Sequence, residues 1–163
     1  IKTTPTVVLL ACPLADFRPL RSRMALSLPK AVLLYGGEDA GVSPLQAELE
    51  VHTDIYLATA YSADHLTEFG RAFARRYEER FHEPPDLYAA QAYDATRLLF
   101  DAMLRAGDIS KEALVKEVSH QEPFESVTGP VLWKDRQPRR RVFLIALKNN
   151  QAKVVRTIEP EDN

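Results

Sequence analysis

The chain has 163 residues, 45% of them hydrophobic and 27% charged, and carries a formal net charge of -2. That balance fits one ordinary globular body with a buried core and excludes a disordered chain. It also argues against nucleic acid as the main partner, because neutralising phosphates usually takes a pronounced basic excess. Arg139, Arg140 and Arg141 beside a proline read as a solvated approach to a strand rather than a phosphate site. The single cysteine, Cys12, excludes an internal disulfide framework and the paired spacings of zinc ribbons. No apolar run approaches the ~18 to 20 residues that span a bilayer. Residues 1–10 (IKTTPTVVLL) lack the layout of a signal peptide, and the sequence starts at Ile1, so we expect a mature or cut piece, which leaves export open.

In chain order, residues 6–11 (TVVLLA) have the β-branched, apolar character of a strand buried on both faces. Asp16 is placed to cap a helix running to about Leu28, with Pro19 tolerable in its first turn. Residues 31–35 (AVLLY) form a second buried strand, broken by Gly36 and Gly37. Ser43, Pro44 and Gln46 then have the spacing of a capping box, which starts a short helix to about Glu50. Residues 54–60 (DIYLATA) are a third strand. Strand, helix, strand, helix, strand with short connections implies parallel strands joined by right-handed crossovers, so the first third is α/β.

The middle is helical. Leu66, Phe69, Phe73, Tyr77 and Phe81 recur at helical spacing among arginines and glutamates, and this aromatic stripe reads as core rather than a cofactor box. The EPPD break at 83–86 ends that helix and starts another, whose Tyr88, Ala92, Ala95, Leu99, Ala102 and Ala106 form a stripe of mainly small residues suited to close packing. Gly107 terminates it, and Ser110 caps a shorter helix to about Ser119. Strands return at 129–133 (GPVLW), followed by a polar turn KDRQP. Residues 141–147 and 152–158 then flank KNNQ as an antiparallel hairpin.

Several chemistries are weighed against these elements. GGEDAG at 36–41 matches neither the Walker loop nor the dinucleotide fingerprint, and its two carboxylates would repel phosphate. His52, His65, His82 and His120 are dispersed without metal-ligand spacing and read as surface residues, so no metal or cofactor is expected. Cys12 falls at a strand end, where α/β hydrolases and amidotransferases place a nucleophile. It is followed by Pro13 and Leu14 with no flanking glycine, which favours a structural role. Glu38 is open between two roles. Ligands of open α/β sheets bind outside the carboxyl ends of the strands, and an acid there suits an amine; an acid there also solvates a turn or begins a helix.

Three stretches carry a resemblance: LLYGGEDAGVSP, FGRAFARRYEERFHEPPDLYAAQAYDATRLLFDAM and FESVTGPVLWKDRQPRRRVFLIALKNNQAKVV. In their order and pattern the chain resembles the extracytoplasmic solute-binding proteins of the branched-chain amino acid (leucine, isoleucine, valine) type, which have the two-lobe type I periplasmic binding fold. The implied architecture is α/β, a parallel sheet flanked by helices with a C-terminal antiparallel hairpin, forming the carboxyl-terminal part of that fold. Residues 1–56 and 130–163 would belong with the second lobe, and 57–129 with the first. The resemblance implies noncovalent capture of an amino acid or similar small polar molecule in the periplasm, with no enzymatic chemistry. The partners would be a membrane ABC permease or a receptor signalling domain. Glu38 matches the acid that holds the ligand's amino group, with Asp39 and the Pro13-Leu14 turn beside it. The small hydroxyl residues that hold the carboxylate in the family lie in first-lobe loops with no counterpart in this sequence. A homodimer, or association with an amino-terminal half, is expected to cover the faces left open. The alternatives are an enzyme using Cys12 and an interaction module that binds nothing.

Overall fold

The computed structural model describes residues 7–28, 31–36, 55–119, 123–134, 137–148 and 151–160. The chain forms two compact units, one of residues 1–62 and 142–158, the other of 63–141 and 159–163, so it passes from one to the other three times.

The first unit is built on a five-stranded sheet in the order β1-β2-β3-β7-β8. β1 (Val7–Leu10), β2 (Val32–Tyr35) and β3 (Ile55–Thr59) run parallel, with Val7 opposite Val32 and Leu33 opposite Ile55. The sheet then turns antiparallel. β7 (Val142–Lys148) pairs with β3, Leu147 opposite Ile55, and β8 (Gln151–Ile158) pairs with β7 across a register shift at Leu144/Ile145. The parallel strands and the terminal hairpin are where the apolar runs placed them.

α1 (Leu14–Ser27) lies between β1 and β2 in sequence, and its Phe17 and Met24 pack on the sheet. Leu33, Tyr35, Ile55, Leu57, Phe143, Ile145 and Leu147 alternate along their strands to form one buried face around Phe17, whose ring centroid is 4.4 Å from that of Tyr35. The expectation of burial on both faces fails for β1. Val7 and Leu9 are 58% and 64% exposed, because β1 ends the sheet order and only Val8 and Leu10 point into the core. α1 also differs from expectation at its start. It begins two residues before Asp16, after Pro13 in extended backbone (φ -58°, ψ 152°), whose carbonyl accepts from the amides of Asp16 and Phe17. Asp16 therefore sits in the first turn rather than at the cap, and Pro19 falls inside the helix, where it removes one backbone bond. The helix predicted after Ser43 lies outside the described residues.

In the second unit a 3-10 turn (Ala63–His65) leads into α2 (Glu68–Phe81), followed by α3 (Leu87–Ala106) and α4 (Lys111–Val118). Each helix starts on a side-chain cap. Thr67, Asp86 and Ser110 accept from the amides of Gly70, Ala89 and Ala113 at 3.0, 2.8 and 3.4 Å. α3 ends at Gly107 with φ 61°, and α2 ends at His82, a non-glycine residue at φ 59°. The aromatic stripe of α2 is core in part: Leu66 and Phe73 are buried, and Phe73 packs on Tyr93 at 4.5 Å between ring centroids, whereas Phe81, though 4.5 Å from the Tyr77 ring, is 57% exposed at the end of the helix. Of the small-residue stripe of α3 only Ala102 is buried; Tyr88, Ala92, Ala95 and Leu99 are exposed, and the other buried positions, Leu87 and Ala90, lie off the stripe. Small apolar residues occur on several sides of α3, so spacing alone does not select one.

A three-stranded antiparallel sheet completes this unit: β4 (Phe124–Ser126), β5 (Gly129–Lys134) and β6 (Gln137–Arg139). Two of these strands were not expected. β4 is only three residues long, and β6 carries Pro138 at the sheet edge inside what reads as a polar turn.

Candidate functional site

The parallel strands bring their carboxyl ends to one rim, the usual place for a ligand in an open α/β sheet. The Gly36 amide donates to the Leu10 carbonyl at 3.1 Å, which ties the end of β2 to the end of β1. Pro13 is exposed just beyond β1, and Leu14 opens α1. Cys12 is half-buried and packs against the core cluster, the structural placement expected of it. At the end of β3, buried Thr59 accepts the Tyr61 amide on its hydroxyl at 3.2 Å, and Tyr61 and Ser62 are themselves buried. The rim thus combines an exposed proline turn and an exposed glycine with a buried hydroxyl. Glu38 and Asp39, two residues and more past Gly36, lie outside the described residues.

The second unit has a site of its own, centred on α3 and the tight turn between β4 and β5. Val127 in that turn is wholly buried. Its amide donates to both carboxylate oxygens of Asp94 at 3.1 and 3.2 Å, and its carbonyl accepts from the Thr67 hydroxyl at 3.2 Å. The turn is closed by the Ser126 hydroxyl donating to the Gly129 carbonyl at 2.6 Å, and Arg141 donates to the Thr128 carbonyl at 3.3 Å. Gly70 of α2 permits the approach, since a Cβ there would collide with the Val127 carbonyl oxygen. Burial raises the Asp94 pKa from 3.8 to about 6, against the opposing pull of the Val127 amide, Arg97 and Arg140; Glu125 adds to the rise.

Beside this turn lies a groove of about 400 Å³ whose lining includes Asp94, Leu98, Phe124, Val131, Trp133 and Arg140. Arg97 lies over the Phe69 ring at 4.1 Å and the Phe124 ring at 5.1 Å, and donates to the Glu125 carbonyl at 3.0 Å. The arginine run divides three ways, which corrects its reading as a solvated approach. Arg139 is exposed, Arg140 lines the groove, and Arg141 pairs with Glu159 at 2.8 Å. The signal for Asp94 was an acid at the middle of an apolar helix; nothing in spacing marked Trp133 or Arg140.

Among the described residues no group of three or more His, Cys, Asp or Glu is placed to hold a metal, and no helix is long and apolar enough to cross a membrane. His65 and His82 are exposed as expected, while His52 and His120 lie outside the described residues.

A family model described as "Periplasmic binding protein" matches residues 12–152. No curated protein matches the sequence significantly. Among solved structures, a leucine binding protein, LivK, of Thermotoga maritima superposes with a TM-score of 0.80 at 23% identity, over 98% of this chain and 46% of that one. LivJ of Streptococcus pneumoniae, a branched-chain amino acid transporter substrate binding protein in complex with isoleucine, gives 0.76 at 15%, over 95% and 45%. A solute binding protein of an ABC transporter from R. palustris, in complex with benzoate, gives 0.68 at 22%, over 93% and 49%. The chain therefore spans about half the length of the structures it matches, and at these identities they establish its fold, that of type I periplasmic binding proteins.

Proposed function

The chain belongs to the periplasmic binding protein family, and from that premise we propose that it is the carboxyl-terminal part of an extracytoplasmic solute-binding protein. It captures a small polar molecule, an amino acid or similar, noncovalently, and serves a membrane ABC permease or a receptor signalling domain. The observation that carries this reading is the rim where β1 and β2 end together, joined by the bond from the Gly36 amide to the Leu10 carbonyl. Glu38 receives the ligand's ammonium group, with Asp39 beside it and the Pro13-Leu14 turn forming the adjoining wall. The packing of half-buried Cys12 against the core supports binding without covalent chemistry.

Residues 1–56 and 130–163 make up the second, ligand-bearing lobe in this reading and 57–129 the portion that joins the first, although the compact units divide the chain at 62/63 and 141/142 and group residues 130–141 with the helices. Exposed Phe100 and Leu104 on α3 and Val115 on α4 support a further polypeptide surface covering this second unit, from a second copy or an amino-terminal half.

The test is calorimetric titration of the chain against an amino acid panel, repeated with Glu38→Gln. Binding that weakens at least about tenfold in the variant is the expected result, one charge-assisted hydrogen bond being lost. Binding that the variant leaves intact removes Glu38 from the site.

A further inference from the structure

The five-stranded sheet of the first unit is hydrophobic on both faces, and its described helix covers one of them. Residues paired across neighbouring strands share a face, so Leu9, Leu34, Tyr56, Ala146 and Lys153 form one row across all five strands, on the side away from Phe17. Val7 and Val32 pair on the same side before that row, and Ala58, Leu144 and Arg156 after it. Every one of these positions on β1, β2, β3 and β7 is hydrophobic. Val7 and Leu9 are exposed and the others half-buried, whereas Leu33, Tyr35, Ile55, Leu57 and Phe143 on the core face are at most 1% exposed. A sheet with one face in water alternates hydrophobic and polar residues, and strands hydrophobic on both sides belong to a sheet covered on both sides. Among the described residues of this unit the helix, α1, lies on the Phe17 side.

The dimensions and charge of the open face select what fits it. Parallel strands are covered by helices. Four strands at ~4.8 Å spacing make a hydrophobic strip about 14 to 19 Å wide, the width of two helices packed about 8–10 Å apart. β8 borders the strip with exposed Lys153 and Arg156, opposite Ala146 and Leu144, and Ile158 beyond them faces Val142. No carboxylate stands at any of these positions. A helix lying along β7 meets both cations on its outer flank, where acidic residues are favoured and basic ones repelled. A second copy of the same face would match the hydrophobic strip but bring no acid to Lys153 and Arg156.

We propose that this sheet face docks a pair of amphipathic helices from outside residues 1–163, hydrophobic toward Leu9, Leu34 and Tyr56 and acidic along the flank that meets Lys153 and Arg156.

The probe is a synthetic helical hairpin with leucine and alanine on its inner side and glutamate along one flank, carrying a fluorophore and titrated with the full chain at neutral pH. Its counterpart has lysine at the flank positions. Anisotropy should show saturable binding of the glutamate hairpin, at least about tenfold weaker for the lysine hairpin. The double variant Lys153→Glu and Arg156→Glu should reverse that preference. Leu9→Gln, at an exposed edge position, should weaken binding at least about threefold while the circular dichroism spectrum stays that of the parent. Glu38→Gln and Leu104→Gln should bind as the parent does, which separates this face from the strand rim and from the exposed surface of α3. The proposal is overturned if the glutamate hairpin fails to saturate by about 1 mM, if both hairpins bind equally, or if the double variant changes nothing. Loss of binding in Leu104→Gln overturns it by placing the hairpin on α3. A light-scattering mass that falls from dimer to monomer in Leu9→Gln also overturns it, because a second copy then holds the face.

Discussion

Asp94 of α3 receives the Val127 amide on both of its oxygens, at 3.1 and 3.2 Å, across 33 residues of sequence. Replacing Asp94 with Ala strands a donor in a fully buried turn, which costs about 1–3 kcal/mol. Asn keeps an acceptor oxygen in place and should lose less. Urea denaturation of the two variants separates them, and equal loss in both would show that charge rather than the acceptor matters.

The same carboxylate makes stability depend on pH. Its folded pKa, about 6, lies above its ordinary 3.8, so folding favours the protonated form. The contribution of this group is therefore fully present below about pH 4 and is lost as pH rises through about 6. Solvent at this partly exposed site reduces its size. The parent should gain stability relative to Asp94→Asn on acidification across that window, and the Val127 amide resonance should titrate with a midpoint near 6. The charged groups around Asp94 are Arg97, Arg140 and Glu125, beside the Val127 amide.

Gly70→Ala sets two effects against each other. Alanine gains up to about 1 kcal/mol of helix propensity over glycine, but its Cβ would collide with the backbone oxygen of Val127, which is pinned by Thr67. Overpacking costs of about 1–3 kcal/mol win when the obstacle is backbone. The variant should melt lower than the parent; a higher melting temperature would mean the turn yields easily.

His82→Gly should act in the opposite direction. His82 closes α2 at φ 59° and ψ 26°, donating its amide to the Glu78 carbonyl at 2.8 Å. Glycine adopts that left-handed geometry without a Cβ penalty, so the change should stabilise by about 0.5–1 kcal/mol after the entropy of the unfolded glycine is deducted. Thermal melts of the exposed-site variant check the sign.

The open apolar surface of the second unit gives a prediction of assembly. Phe100 and Leu104 are 58% and 82% exposed on one helix. The isolated chain should form a concentration-dependent dimer by light scattering, weakened by Leu104→Glu. A clean monomer at all concentrations would assign the cover to another polypeptide.

The first unit was largely legible because its strands are short apolar runs punctuated by glycine and proline, as at Tyr35-Gly36 and Leu28-Pro29. Helix caps were equally plain where Asp86, Ser110 and Gly107 stand at the boundaries. α1 was misjudged at its start because its cap is the backbone of Pro13, and no side-chain signal marks such a cap. β4 and β6 were missed because three-residue strands are stabilised by partners distant in sequence: Phe124 faces Val131 and Trp133 faces Pro138. The groove was illegible for the same reason. Asp94, Trp133 and Arg140 become neighbours only through the folding of α3 against the hairpin, and each has an ordinary explanation when read singly.

Val127 offers one more consequence. Its N–H points to one helix and its C=O to the cap of another, so the two peptide units that meet at this residue are each held by a different helix. Its amide hydrogen should therefore be among the slowest in this unit to exchange with deuterium. The rate of that one exchange would time the opening of the whole helical layer.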